Sequence, residues 1–309
     1  MIFKAILSVA CYFLFSSLVA QTTYSIPSST KKILFLGNSI TYSGQYLTYT
    51  ETYLRLMHPE RDWEFYNLGL PSETVSGLSE EGHAGGAFPR PDLHHRLDRV
   101  LEAIKPDLIF SCYGMNDGIY LPFDESRFAA YKTGQQKLQQ KAEALGIPII
   151  HLTPPVFDPA KDPAYAAVLD LYASWLVSQR YAAGWNVIDL HWPMRKFLED
   201  RREVDSDFAL AGDAIHPGEQ GHWLMARSLL YGIGESRHLE ADLPDIAFDS
   251  IPQGRALLPL IRKKQELARD AWLTHTGHKR PGLSRGLPLE QAISESEALL
   301  QAISDLLIR

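Results

Sequence analysis

The sequence contains little cysteine and no excess of basic residues. Only two of its 309 residues are cysteines, Cys11 and Cys112, which excludes a disulfide-rich scaffold. The 30 lysines and arginines are outnumbered by 37 aspartates and glutamates, so the net charge is −7. Because a nucleic-acid binder needs a basic face for phosphates, we expect no nucleic-acid partner. The sequence also lacks internal repeats and low-complexity segments, and its 45% hydrophobic content is typical of an ordinary folded protein.

The N-terminal residues have the pattern of a secretory signal peptide. Lys4 precedes an apolar run over 5–20, and the polar Gln21 follows directly. A run of sixteen residues is short for a bilayer span. We therefore predict cleavage after Ala20, export to the periplasm or the outside, and no stable membrane anchor afterwards. The mature chain would keep one cysteine, Cys112, which follows an apolar run and is expected to be a buried, inert thiol.

Short apolar runs alternate with segments of helical spacing. The runs at 33–36, 63–68, 108–113, 147–152 and 186–190 are typical of buried strands. Helices are predicted over 46–57, 93–104, 128–145, 165–183 and 220–230. Parallel strands need such long crossovers, so the pattern predicts a βαβ series with a parallel sheet. In sheets of this kind, sites form beyond the carboxyl ends of the strands.

The C-terminal part differs from this pattern. Two amphipathic helices are predicted over 256–273 and 289–307. We therefore expect a main domain over 21–238 and a helical hairpin extension over 239–309. The connecting loop carries His275, His278, Lys279 and Arg280. A solvated loop is the favoured interpretation over a wall of the cleft that binds an anionic sugar.

Polar segments follow the predicted strands. Ser39 lies in 37–41 after the first strand, where a serine acts either as an exposed nucleophile or only as an N-cap. The segment 67–74 follows the second strand and is consistent with a turn. Asn116 follows the third strand, and a neutral amide there can stabilise an oxyanion or simply form a turn.

A carboxylate precedes a histidine by three residues near the last predicted helix. Asp213 and His216 can meet through one local turn. The carboxylate would then hold the imidazole in one tautomer and leave its other nitrogen to deprotonate a serine. We favour this interpretation over a surface aspartate and histidine without a catalytic role.

Taken together, the order and placement of these segments resemble the SGNH hydrolases, also called the GDSL family of esterases and lipases. The segments 37–41, 114–117 and 213–216 are similar to the family's nucleophile, Gly-x-Asn-Asp and Asp-x-x-His blocks. The resemblance covers 32–233. It implies a flavodoxin-like three-layer α/β/α fold around a central parallel sheet. It also implies a catalytic triad of Ser39, Asp213 and His216, and an oxyanion hole formed by Ser39, Ser72 and Asn116.

The sequence departs from the family pattern at two positions. Asn38 stands where the family name has aspartate. In the second block Ser72 occupies the place of the glycine whose backbone N–H binds the oxyanion. A serine keeps that N–H, but its backbone would be strained if the position required a positive φ.

The resemblance favours a serine esterase that removes acyl groups, O-acetyl above all, from a carbohydrate. Candidate substrate contacts are Asn38, Gly69, Asp117, His83 and Arg90. A lipase, lysophospholipase or thioesterase, an acyltransferase, and a carbohydrate-binding protein on an inactive scaffold are the alternatives. No cofactor and no metal is expected, since His94 and His95 are adjacent in a predicted helix and do not share a face. The sequence indicates no particular oligomeric state.

Overall fold

A computed structural model describes residues 23–308 of the chain. The predicted signal peptide lies outside the described residues. The centre of the fold is a five-stranded parallel sheet with the order β2-β1-β3-β4-β5. Its strands are β1 (Lys32–Gly37), β2 (Glu64–Asn67), β3 (Leu108–Cys112), β4 (Ile149–Leu152) and β5 (Asn186–Ile188).

Helices connect the successive strands of the sheet, and further helices follow β5. They are α1 (Ser39–Ser43), α2 (Gln45–Met57), α3 (Leu97–Ile104), α4 (Glu125–Ala144), α5 (Pro163–Ala182), α6 (His191–Arg202), α7 (Glu219–Gly232), α8 (Pro244–Asp249), α9 (Gly254–His275) and α10 (Leu289–Leu307). Because both faces of a parallel sheet are covered, its strands are apolar throughout. The predicted fold class, an α/β protein with a central parallel sheet and C-terminal helices, is confirmed.

Some elements differ from the prediction. The helix expected over 93–104 is divided into a 3₁₀ turn, Leu93–His95, and α3. The sequence pattern did not predict α6, since its buried side is narrow and includes only His191, Met194 and Leu198. Cys112 is buried as expected, and burial raises the pKa of its thiol to about 12, which keeps the thiol protonated.

The strand order creates a crevice at one edge of the sheet. After β2 the chain crosses β1 and forms β3 on its other side. The connections that leave β1 and β3 therefore diverge at the carboxyl ends of these two neighbouring strands. Such a switch point is where open α/β sheets form their sites.

The C-terminal helices pack tightly on the rest of the chain. The ammonium of Lys264 in α9 bonds the buried carboxylate of Glu51 in α2, and the Gln265 amide donates to the same carboxylate at 2.7 Å. Leu257 and Ile261 of α9 contact Ile303 of α10 in a separate apolar cluster. A charged pair in the interior is stable only when its hydrogen bonds are complete. The bonds from Lys264 and Gln265 to Glu51 therefore fix α9 in position against α2.

Within residues 23–308, none of the helices is both long and apolar enough to span a bilayer.

Candidate active site

The turn after β1 places Ser39 at the start of α1. At Gly37 a Cβ atom would come within 2.1 Å of the Thr41 hydroxyl, so only glycine allows this close turn. The Asn38 side chain caps α1 by accepting a hydrogen bond from the Ile40 N–H at 3.0 Å. Ser39 itself is only half-buried. The serine is thus held on a rigid turn with its hydroxyl accessible.

Ser39, His216 and Asp213 form a continuous hydrogen-bonded chain. The Ser39 Oγ lies 2.8 Å from His216 Nε2, and His216 Nδ1 lies 2.6 Å from Asp213 Oδ2. Since a carboxylate can only accept, Nδ1 carries the proton and Nε2 is free to accept the serine proton. The side chains of His216 and Asp213 are 50% and 55% exposed. A base next to a hydroxyl and oriented by a carboxylate is the arrangement that nucleophilic catalysis requires.

Local backbone bonds hold the Asp213–His216 turn. Asp213 Oδ1 accepts the N–H groups of Ile215 and His216 at 3.0 and 2.8 Å. Partial burial by itself would raise the pKa of Asp213, but the bonds from the His216 side chain and from these two N–H groups lower it to about 2. Ala214 between them has a φ of +71°, a strained value for a residue with a side chain. The carboxylate therefore stays ionised and in place next to the imidazole.

The segment after β3 brings Asn116 to the same crevice. Its amide nitrogen donates to the Glu73 carbonyl at 3.1 Å, which joins it to the loop that contains Ser72. The fully buried Asp117 accepts three backbone N–H groups, from Val75, Ser76 and Gly114, at 2.8–2.9 Å. Burial raises the pKa of Asp117 to about 6, even though these three bonds oppose the shift.

The loop after β2 approaches the turn that contains Ser39. The Asn67 amide donates to the Thr41 carbonyl at 2.7 Å. Ser72 has a φ of +69°, the left-handed conformation in which a serine is strained. The next residue, Glu73, is buried and forms two 2.6 Å bonds to Arg96. This buried ion pair holds the strained residue in a fixed conformation, as over-determined functional loops require.

Three of the predicted substrate contacts are buried supports of the site. Asn38 caps α1, and Asp117 binds backbone N–H groups. Gly69 packs against α1 so closely that a Cβ atom would lie 2.3 Å from the Tyr42 nitrogen. All three residues are buried. Their role in this structure is to shape the loops around Ser39.

The other two predicted substrate contacts are both bonded to Glu80, a residue that the sequence analysis missed. Glu80 accepts from Arg90 Nε and Nη2 at 2.6 and 2.7 Å and pairs with His83 Nδ1 at 2.9 Å. Burial opposes ionisation of Glu80, but the bonds from Arg90, its own backbone and His83 lower its pKa to about 2. Arg90 is 8% exposed and lies 5.2 Å from the centre of the Tyr120 ring. The guanidinium is therefore a structural clamp in the loop between β2 and α3.

The C-terminal extension reaches this region through α9 and through Arg280, while the loop after α9 is otherwise mostly exposed, as expected. Arg269 in α9 donates to the Tyr42 carbonyl at 2.7 Å and stacks on the Tyr42 ring at 3.9 Å. In the loop after α9, the Arg280 guanidinium lies 5.2 Å from the centre of the Phe88 ring. Lys279, in contrast, is exposed. The extension thus packs against both α1, which begins at Ser39, and the loop that contains His83 and Arg90.

In the part of the chain that the structure describes, no three His, Cys, Asp or Glu side chains are grouped in a way that could hold a metal ion.

The chain belongs to the GDSL-like Lipase/Acylhydrolase family, whose sequence profile matches residues 35–224. The match includes Ser39, Asn116, Asp213 and His216. Membership defines the class of protein: a carboxylic ester hydrolase on an α/β scaffold.

Among characterised proteins, the chain is similar to an acetylxylan esterase of Geobacillus stearothermophilus. The two are 24% identical over 227 residues, which cover 67% of this chain and 95% of the esterase. A crystal structure of that esterase, Axe2, has a TM-score of 0.54 at 22% identity and covers 70% of this chain and 97% of its own. A gut microbial diltiazem-metabolizing enzyme has a TM-score of 0.59 at 22% identity. That likeness covers 69% of this chain and only 49% of the enzyme, so this chain spans about half of its length.

Proposed function

We propose that this protein is a serine esterase that removes O-acetyl groups from a carbohydrate through an acyl-enzyme. The observation that carries the proposal is the 2.8 Å contact between Ser39 Oγ and His216 Nε2, in line with the 2.6 Å contact between His216 Nδ1 and Asp213. The similar esterase has catalytic mutants in which a serine, an aspartate or a histidine is replaced, and its aspartate and histidine are three positions apart, as here.

In the proposed mechanism His216 Nε2 takes the Ser39 proton while Ser39 Oγ attacks the ester carbonyl carbon. Asp213 keeps the proton on Nδ1 and stabilises the imidazolium that forms. The imidazolium then protonates the leaving sugar oxygen, and the bond between this oxygen and the carbonyl carbon breaks. Water, deprotonated by His216, attacks the carbonyl carbon of the acetyl-serine. The imidazolium returns this proton to Ser39 Oγ as the acyl–serine bond breaks, which releases acetate and restores neutral His216 and the Ser39 hydroxyl.

The negative charge on the tetrahedral oxygen needs donors that are already in place. We assign this role to the backbone N–H groups of Ser39 and Ser72 and to the Asn116 side-chain amide. The strained but fixed backbone of Ser72 still presents an N–H, so serine can replace glycine at this position. Donors held in this way lower the barrier because no reorganisation is needed when the charge forms.

An acetylated polysaccharide is the substrate class that fits the exposure of the site. Half of the His216 and Asp213 side-chain surface is open to solvent. A small acyl group carried on a large, polar polymer can approach such an open site. The acetylxylan esterase named above covers two thirds of this chain and supports the same class of substrate.

The decisive experiment measures acetate release from acetylated xylan and the hydrolysis of nitrophenyl esters of increasing chain length. Ser39→Ala is expected to abolish turnover, because no other group can form the acyl-enzyme. Ser43→Ala is the matched control, since it removes a hydroxyl from the same helix without touching His216. Fluorophosphonate should label the wild type at Ser39. Activity in Ser39→Ala would disprove the mechanism, and preference for long acyl chains would instead favour a lipase.

Export is part of the proposal. The segment 1–20 would be removed as a signal peptide, so the acting enzyme would begin near Gln21. N-terminal sequencing of the protein from the periplasmic and extracellular fractions of an expressing cell tests this, and an intact Met1 in the cytosolic fraction alone would contradict it.

A further inference from the structure

The Asn116 side chain has two protein partners whose chemistry defines its orientation. On one side lies the Glu73 carbonyl at 3.1 Å, which can only accept, so the amide nitrogen must face it. On the other side the Tyr120 hydroxyl lies 2.8 Å from the amide oxygen, so the phenol must donate. Among residues 23–308 the amide nitrogen makes no further bond, and its second hydrogen is available to an oxyanion.

Tyr120 is itself held rigidly. It and Ile119 adopt consecutive left-handed conformations, with φ of +55° and +48°. Its ring packs on Tyr165 with centroids 4.9 Å apart, and the Arg90 guanidinium lies 5.2 Å from the ring centre. Burial raises the pKa of the Tyr120 phenol, so the hydroxyl keeps its proton. A strained backbone that is fixed on several sides is typical of functional positions.

Arg90 connects this tyrosine to the other side of the proposed oxyanion hole. Glu80 binds two of its nitrogens, and the third points at the Ser72 carbonyl at 3.5 Å. The guanidinium thus lies between Ser72 and Tyr120. Arg90 therefore contacts both Ser72, whose backbone N–H is assigned to the oxyanion hole, and Tyr120, whose hydroxyl bonds Asn116.

We infer that Tyr120 is a positioning residue that aims the Asn116 amide into the oxyanion hole, with Arg90 supporting its ring. The inference rests on the proposed function, because it assigns a role within that reaction. Without the Tyr120 hydroxyl, the Asn116 amide oxygen loses the hydrogen-bond donor that holds it on the side opposite the amide nitrogen. It can then rotate, and its hydrogen no longer points at the developing charge. The substrate carries no oxyanion in the ground state, so the orientation of the amide matters mainly in the transition state and the effect should fall on kcat.

Tyr120→Phe tests the inference with nitrophenyl acetate as the probe. We expect kcat to fall about 10-fold to 10²-fold with KM changed less than about twofold, since complete loss of an oxyanion donor costs about 10²–10³. Tyr172→Phe is the control, because it removes a phenol from the neighbouring aromatic cluster without a bond to Asn116. Rates are divided by the concentration of Ser39 that fluorophosphonate labels, which corrects for misfolded protein.

A double-mutant comparison separates positioning from general stability. In an Asn116→Ala background, Tyr120→Phe should cause no further loss of kcat, because the group it orients is gone. An additional 10-fold loss in that background, or an unchanged kcat in the single variant, would overturn the inference. If Tyr120→Phe yields too little folded enzyme, Arg90→Met takes its place with the same expected non-additivity. A wild type that neither releases nitrophenol nor reacts with fluorophosphonate would instead refute the proposed function.

Discussion

Two histidines in this structure each bond an aspartate at nearly the same distance. His216 lies 2.6 Å from Asp213, and His191 lies 2.8 Å from Asp170. The second nitrogen of His216 faces the Ser39 hydroxyl, whereas the second nitrogen of His191 faces the Pro154 carbonyl at 3.1 Å. His191 is also fully buried, while half of the His216 side chain is exposed.

The difference lies in what the second nitrogen of each imidazole faces. Both nitrogens of His191 face oxygen acceptors, the Asp170 carboxylate and the Pro154 carbonyl, so neither nitrogen is turned toward a hydroxyl that it could deprotonate. His216 keeps one nitrogen for a hydroxyl, in a place that a substrate can reach. A histidine–carboxylate pair therefore indicates catalysis only together with the partner of the second nitrogen.

The largest expected effect comes from exchanging each histidine for alanine. His216→Ala should lower kcat by at least about 10³-fold with little change in stability. His191→Ala should lower the free energy of unfolding by about 1–3 kcal/mol, because it leaves the Pro154 carbonyl without its donor, and should preserve kcat per folded molecule. Acetate release and urea unfolding of both variants measure this. Equal losses of kcat would end the distinction between the two pairs.

The aspartates sharpen the same comparison. Asp213→Asn should lower kcat about 10²- to 10⁴-fold, since an amide no longer holds the proton on His216 Nδ1. Asp170→Asn, in the structural pair, should leave kcat within about twofold, because within residues 23–308 the side-chain partners of Asp170 are His191 and Arg195. Steady-state kinetics on nitrophenyl acetate distinguish the two, and a similar fall in Asp170→Asn would place that pair in the reaction.

A smaller effect concerns the buried Asp117, whose pKa of about 6 exceeds that of an unfolded aspartate. Between about pH 4 and pH 6 the folded state then holds the proton more tightly, so stability falls as the pH rises through this window and is constant above it. Relative to Asp117→Asn, the wild type should lose up to about 3 kcal/mol from pH 4 to pH 6. Urea unfolding at intermediate pH values checks this, and parallel profiles for the two proteins would contradict it.

The smallest effect concerns the partly exposed Asp213, whose pKa is lowered to about 2. For such a group, the stabilisation is fully present above about pH 4 and disappears as the pH falls through about 2. The difference in unfolding free energy between the wild type and Asp213→Asn should therefore shrink as the pH falls from about 4 to about 2, which urea unfolding at several pH values measures. A difference that stays constant down to pH 2 would contradict the lowered pKa of Asp213.

Local patterns were enough to predict the strands and the segments that follow them. Short apolar runs predicted all five strands, with ends within about two residues, because a buried parallel strand needs apolar residues on both faces. Ser39 and Asn116 follow β1 and β3 directly, so the topology places them at one crevice. Asp213 and His216 lie between α6 and α7, and their hydrogen bonds bring them to Ser39. Their catalytic roles remain proposals.

Other parts of the site had no local pattern. Nothing near Glu73 in the sequence indicates that Arg96 and Tyr113 bond its carboxylate. Likewise, a glutamate at position 80 looks like any surface residue until Arg90 and His83 converge on it. Ion pairs of this kind depend on how loops fold back on each other, which neither propensity nor periodicity encodes.

The sequence by itself determined the alternation of strands and helices, the family to which the chain belongs, and the candidate residues Ser39, Asn116, Asp213 and His216. These follow from short patterns that act on neighbouring residues. Only the tertiary structure decided that His216 faces the Ser39 hydroxyl, that the Tyr120 hydroxyl bonds the Asn116 amide oxygen, and that α9 packs against α1. Such contacts depend on the three-dimensional packing of the loops and helices around the crevice, which no single segment encodes.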